Sequence, residues 1–148
     1  MNEDIIVIVA EDDDGHATLI QKNLKRAGIM NDMLRFRNGE EVLDFLYDRK
    51  EEKRNPELYY LLLLDIRMPR VDGIEVLRQL KGDERLKSLP VIMLTTTDDP
   101  VEINKCHQLG CNSYVVKPLN YESFIEVINR LGLFMKIVKI PNQLNEGF

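Results

Sequence analysis

A chain of 148 residues at net charge −5, with 44% hydrophobic and 30% charged residues, has room for one domain with a real core and the make-up of a globular protein rather than a disordered one. That charge excludes nucleic-acid binding through a general basic surface, so no direct DNA binding is expected. No apolar run nears the ~20 residues of a membrane span, and MNEDIIVIVA has no basic stretch before its short apolar run, so neither a signal peptide nor membrane insertion is expected and the predicted compartment is cytoplasmic.

IIVIVA (5–10) is a continuous apolar strand, the kind buried on both faces of a parallel sheet covered by helices. Glu11, Asp12, Asp13 and Asp14 follow at once. An acid after a strand is commonly a helix N-cap, and Asp13 or Asp14 fits that role. Ala17, Ile20, Leu24 and Ala27 then form one helical face, and Gly28 stops the helix. MLRFR (33–37) alternates, which places it nearer a sheet edge. Asn38 with Glu41 spells a capping box for a second helix. The charge run YDRKEEKRNPE (47–57) reads as a solvated helix end and loop.

YYLLLLD (59–65) is the next continuous strand and ends on Asp65, with Arg67 and Pro69 behind it. Asp72 and Glu75 spell another capping box, and Ile74, Leu77 and Leu80 follow at a spacing of three. VIMLT (91–95) is a strand ending on Thr95, with Thr96 and Thr97 next. Asp99-Pro100-x-Glu102 supplies an N-cap, a proline at the first helical position and an acid at the third. Ile103, Cys106 and Leu109 are predicted to face inward before Gly110 ends that helix. YVVK (114–117) is a short strand leading into Lys117-Pro118, and Asn120 caps a last helix whose stripe is Phe124, Val127, Ile128 and Leu131. Cys106 and Cys111 flank His107, and the remaining histidine is distant His16. That is too few ligands for a Cys–His metal centre, so reduced thiols, at least one buried, are expected.

Five strands alternating with five helices imply an α/β domain with right-handed crossovers and a parallel sheet. In such sheets the ligand crevice lies outside the C-terminal strand ends. Glu11, Asp12, Asp65, Thr95 and Lys117 all fall at that edge. Taken singly, each has a plain structural reading: a cap, a solvated lysine, a turn. Together they describe one site. Three acids from two strand ends repel one another, and a hard divalent cation such as Mg²⁺ relieves this with oxygen ligands. A cation, a lysine and a hydroxyl around a carboxylate suit phosphoryl transfer, and a carboxylate can itself be the nucleophile.

The sequence resembles the receiver domain of two-component response regulators over about residues 4–133. The resemblance rests on Glu11-Asp12 after strand one, LLDIRMPRVDG around Asp65, PVIMLTT ending the fourth strand, and YVVKP holding Lys117. It implies a flavodoxin-like, doubly wound (βα)5 three-layer sandwich with sheet order 2-1-3-4-5. It implies Asp65 as phosphoacceptor, Glu11, Asp12, Asp65 and the backbone carbonyl of Arg67 around Mg²⁺ (or Mn²⁺), and Lys117 as the partner of acid and phosphoryl alike. Thr95 and Tyr114 match the switch pair, and Lys117-Pro118 matches a bond commonly cis in the family. Arg67, Thr96 and Thr97 match positions that tune phosphoryl lifetime; whether the Arg67 side chain meets a phosphate or folds over the acids is open. Partner choice in the family lies on the first helix, near His16, Leu19, Gln21 and Lys22.

GLFMKIVKIPNQLNEGF at the end is too short for a second core, so residues 134–148 read as a tail without an output domain. LFMKIVKIP and the 47–57 run are similar to single-domain receivers that partner phytochromes and related hybrid kinases. The expected partner is a sensor histidine kinase or hybrid kinase, of phytochrome type on this resemblance. The tail reads equally as a helical turn on its own domain or as a homodimer contact. Four competing readings are an intermediate receiver in a multistep relay, a degenerate receiver that only binds, a Mg²⁺-dependent aspartyl phosphatase of the haloacid-dehalogenase type, and a nucleotide-binding fold. The degenerate receiver would lack the acids or Lys117, and all are present. The phosphatase needs an acid two residues beyond the nucleophile, where Arg67 stands. A nucleotide-binding fold would need a Gly-rich loop after strand one, where AEDDDGH stands instead.

Overall fold

The computed structural model describes residues 4–50 and 59–137. Five strands and five helices alternate: β1 (Ile5–Ala10), α1 (Asp14–Arg26), β2 (Met33–Phe36), α2 (Gly39–Lys50), β3 (Tyr59–Leu64), α3 (Gly73–Lys81), β4 (Val91–Thr95), α4 (Pro100–Leu109), β5 (Ser113–Val116) and α5 (Tyr121–Ile137). All strand pairs are parallel, in the order β2-β1-β3-β4-β5. This is the expected flavodoxin-like sandwich.

The continuous apolar strands follow from period two. Ile8 and Ala10 of β1, Leu62 and Leu64 of β3, and Val91 and Met93 of β4 pack on one face against Val42 and Leu46 of α2, Val76, Leu77 and Leu80 of α3, and Cys106 of α4. Ile5, Val7 and Val9, Leu61 and Leu63, and Ile92 and Leu94 pack on the other against Ile20 and Leu24 of α1 and Phe124, Ile128, Leu131 and Met135 of α5. Both faces are covered, which favours apolar side chains along the central strands, with polar Thr95 at the last position of β4. Each buried leucine of the 61–64 run contributes about 1.5–3 kcal/mol relative to exposure.

The start signals act as written. Asp13, not Asp14, is the cap of α1, accepting from the His16 N–H at 2.9 Å. Asp72, Asp99 and Asn120 cap α3, α4 and α5 through the N–H groups of Glu75, Val101 and Ser123. Asn38 accepts from the Glu41 N–H, while the Glu41 carboxylate turns back to the N–H of Arg37 rather than of Asn38. Gly28 and Gly110 follow their helices at φ 98° and 105°, the left-handed geometry of a helix stop.

Some positions differ from expectation. The buried residues of α3 are Gly73, Val76, Leu77 and Leu80; Ile74 is half-buried. Of the inward set on α4 only Cys106 is fully buried, because α4 lies toward the edge of its layer. Strand β2 is half-buried throughout rather than alternating, having a single neighbour. The Lys117–Pro118 bond is trans, as are all described peptide bonds, so the expected cis bond is not adopted; trans is the lower-energy isomer even before proline. Both cysteines are free and buried. Helix α5 runs past the predicted end of the domain to Ile137 and buries Met135 against its own core. The rest of the tail, 138–148, and residues 51–58 of the charge run lie outside the described residues.

Candidate functional site

Strand register assembles the site. Ala10 pairs with Leu64, and the Asp65 N–H donates to the Ala10 carbonyl at 3.1 Å. Glu11 and Asp65 therefore leave neighbouring strands side by side. Thr95 pairs with Val116, and the Lys117 N–H donates to the Thr95 carbonyl at 2.7 Å. Gly73 closes the loop behind Asp65: its N–H donates to the Ile66 carbonyl at 2.8 Å. A Cβ there would lie 2.0 Å from the Asp65 carbonyl oxygen, so no larger residue fits the close approach.

The charged centre is buried. Glu11 and Lys117 are each 2% exposed and Asp65 6%. Lys117 Nζ donates to Glu11 Oε1 at 2.5 Å and to Asp65 Oδ2 at 3.2 Å. Asp65 Oδ1 accepts from the Ile66 N–H at 2.8 Å, which fixes the carboxylate plane. Burial, and then the neighbouring Asp65 charge, push Glu11 up to about 7, against the pull of its hydrogen bond to Lys117. Exposed Asp12 completes a cluster in which ligand atoms of Glu11, Asp12 and Asp65 all lie within 4.8 Å of one another. One ammonium faces three clustered carboxyl groups at a site of oxygen donors. That donor set fits a divalent cation.

Thr95 is fully buried at the end of β4, its Oγ1 3.4 Å from the Thr97 N–H that donates to it. Tyr114 is half-buried, and its hydroxyl donates to the Thr97 carbonyl at 2.7 Å. Burial pushes that phenol up to about 12, so it stays a donor at any ordinary pH. Thr97 thus stands between Thr95 and Tyr114, while Thr96 is exposed. The Arg67 side chain does not fold over the acids. It reaches Glu102 on α4 at 3.3 Å.

Arg35 and His16, neither assigned to this site from the sequence, also touch it, and Arg37 stands beside Arg35. Arg35 on β2 donates from Nε and Nη2 to the Glu11 carbonyl at 2.9 and 2.7 Å, and from Nη1 to Asp14 at 2.7 Å. Arg37 joins it on Asp14 at 2.6 Å, and the two guanidiniums hold the Asp14 carboxyl below its ordinary range. His16 Nδ1 lies 3.1 Å from Lys117 Nζ. The one available signal for the arginines was MLRFR itself, whose period of two puts Arg35 and Arg37 on the same side of β2. Nothing local linked His16 to Lys117, which is 101 positions away.

The family model "Response regulator receiver domain" matches residues 7–129. A receiver domain structure from Rhodospirillum rubrum superposes with a TM-score of 0.87 at 39% identity, covering 93% of this chain and 98% of that one. Response regulator Rcp1 of a Synechocystis strain is 28% identical over 92% of each chain; its Mn²⁺-bound structure superposes with a TM-score of 0.80 at 26% identity, covering 92% of this chain and 98% of that one. The bacteriophytochrome response regulator RtBRR is 33% identical with a TM-score of 0.66, covering 97% of this chain and 84% of that one. With the fold, the strand-end acids and the lysine all in place, this chain belongs to the response regulator receiver domain family, whose members signal in two-component systems through phosphorylation.

Proposed function

We propose that Asp65 is the phosphoacceptor, that Mg²⁺ is the cation of the acid cluster, and that a sensor histidine kinase of phytochrome type is the donor, in the cytoplasm. The observation that carries this is the Lys117 ammonium held between Glu11 Oε1 and Asp65 Oδ2 at the C-terminal sheet edge. A buried carboxylate paired with a lysine can release that ammonium to a phosphoryl oxygen while the Ile66 N–H keeps the carboxylate in place. Asp12, Asp65, Glu11 and the Arg67 backbone carbonyl would hold the cation, which when bound supplies charge stabilisation to the transferring phosphoryl oxygens.

In the transfer, an Asp65 oxygen attacks phosphorus, the bond from phosphorus to the kinase's phosphohistidine nitrogen breaks, and the freed imidazole leaves. Lys117 takes up charge on the phosphoryl group, and Thr95 offers its hydroxyl. Because Thr97 accepts from Tyr114 and donates to Thr95, a shift of Thr95 toward the phosphoryl disturbs the Tyr114 anchor and repacks the α4–β5–α5 face. Arg67, Thr96 and Thr97 tune how long the phosphoryl lasts. The chain is then a phosphoacceptor that assists its own phosphorylation and dephosphorylation. Incubation with phosphoramidate and Mg²⁺, followed by intact-mass analysis, should add one phosphoryl group to the wild type and none to Asp65→Asn. Undiminished labelling of Asp65→Asn would remove Asp65 from its role.

A further inference from the structure

An ammonium has three N–H donors and no acceptor. Two donors of Lys117 go to Glu11 and Asp65. The third points to His16 Nδ1 at 3.1 Å. Since an ammonium has no lone pair to offer, Nδ1 is the acceptor in this contact, in the tautomer that carries its proton on Nε2. The ring is itself held. Its residue is locked into the first turn of α1 by the bond from its N–H to Asp13, and it lies on Phe124 of α5 with ring centroids 5.2 Å apart. Phe124 is buried and does not yield.

We infer that His16 is a positioning residue for Lys117: it takes the third ammonium hydrogen and so fixes the direction in which the remaining one is aimed at Asp65. With Glu11 and His16 both engaged, rotation about the Cε–Nζ bond is stopped, and the Asp65-facing N–H is set along the line a phosphoryl oxygen must occupy. Without the imidazole, two fixed anchors become one, and the ammonium swivels about its bond to Glu11. His16 touches neither Asp65 nor any phosphoryl group, so its effect runs through lysine orientation, which bears on the rate of transfer and not on donor binding. The rate arm of this inference rests on Asp65 being the phosphoacceptor; the lysine geometry does not.

Two substitutions separate the acceptor from the bulk of the ring. His16→Leu fills the space without an acceptor. His16→Asn places an amide oxygen where Nδ1 stands. The side chain is 37% exposed, so neither change empties the core. With phosphoramidate as donor and saturating Mg²⁺, His16→Leu should lower the saturating rate of Asp65 phosphorylation about fivefold while leaving the half-saturating donor concentration within about twofold, and His16→Asn should restore the rate. In the metal-free full chain, hydrogen exchange at the Lys117 ammonium, followed by ¹H–¹⁵N NMR, should quicken about tenfold in His16→Leu and return in His16→Asn. Equal saturating rates in wild type and His16→Leu, or a His16→Asn protein as slow as His16→Leu, would overturn the positioning role. Unchanged ammonium exchange in His16→Leu would overturn the three-point hold on Lys117. A wild type that takes no phosphoryl on Asp65 would overturn the reading of the site and the rate arm with it, while the exchange arm would still decide the hold.

Discussion

Arg70 sits at φ 70°, the one described non-glycine residue with a positive φ. It follows Pro69 in the loop that carries Asp65 round to α3, where the chain must turn sharply beneath the site. A side chain there meets the following carbonyl, at a cost of about 1–2 kcal/mol that glycine avoids. Its guanidinium pairs with Glu40 at 3.5 Å on the surface, which returns little. Arg70→Gly should therefore stabilise the domain by about 0.5–1 kcal/mol after the extra chain entropy of glycine is subtracted, a rise of about 2–3 °C in a thermal melt. A lower melting temperature would mean that the surface pair outweighs the strained backbone. Single residues were legible where their role is set within a few positions: Asp13, Asp72, Asp99 and Asn120 all cap as their spacing says. Arg67 was not, because its partner Glu102 lies 35 positions on and is brought near only by packing α4 beside the β3–α3 loop.

At the scale of elements, the end of α5 carries more of the fold than its place in the chain suggests. Gly132 faces Ala27 so closely that a Cβ would stand 2.5 Å from the alanine methyl. That contact lets α5 settle against α1, and Met135, one turn on, is then fully buried beneath them. Met135→Ala should destabilise the domain by about 2–4 kcal/mol in urea unfolding, whereas an exposed tail would lose nothing. A difference below about 0.5 kcal/mol would show that the last turn is not part of the core. The thiols belong to the same interior: burial pushes Cys106 up to about 11 and Cys111 upward, so both are inert packing groups in the folded domain. The strands were legible because continuous apolar runs admit few other uses. Which helix covers which face was not, since the 3.6 period names an inward side but not the neighbour it meets.

The whole molecule holds its like charges together at one edge by means of its core. Glu11 is raised from 4.5 to about 7 by burial and by Asp65. The folded state therefore binds that proton more tightly than the unfolded chain. Glu11's stabilising contribution is full below pH 4.5 and is lost as pH rises through about 7. A divalent cation offsets both the burial of the charge and its repulsion by Asp65, because it binds the ionised acids. Added Mg²⁺ should thus raise the melting temperature more at pH 8 than at pH 6; equal increments would show that Glu11 is not part of the cation site.

By itself, the sequence determined the class of fold and which strand-end residues share one edge. Strand ends in a parallel sheet share one edge, so Glu11, Asp12, Asp65, Thr95 and Lys117 could be placed there from spacing alone. Tertiary structure decided what each does with its hydrogen bonds: Lys117 spans Glu11, Asp65 and His16, Arg35 clasps the Glu11 carbonyl, and Arg67 leaves the site for α4. The reason is physical. Backbone periodicity and caps are local and leave their mark within a few residues. The partner of a buried charge is chosen by register and packing between segments far apart in the chain, and no local pattern encodes that choice.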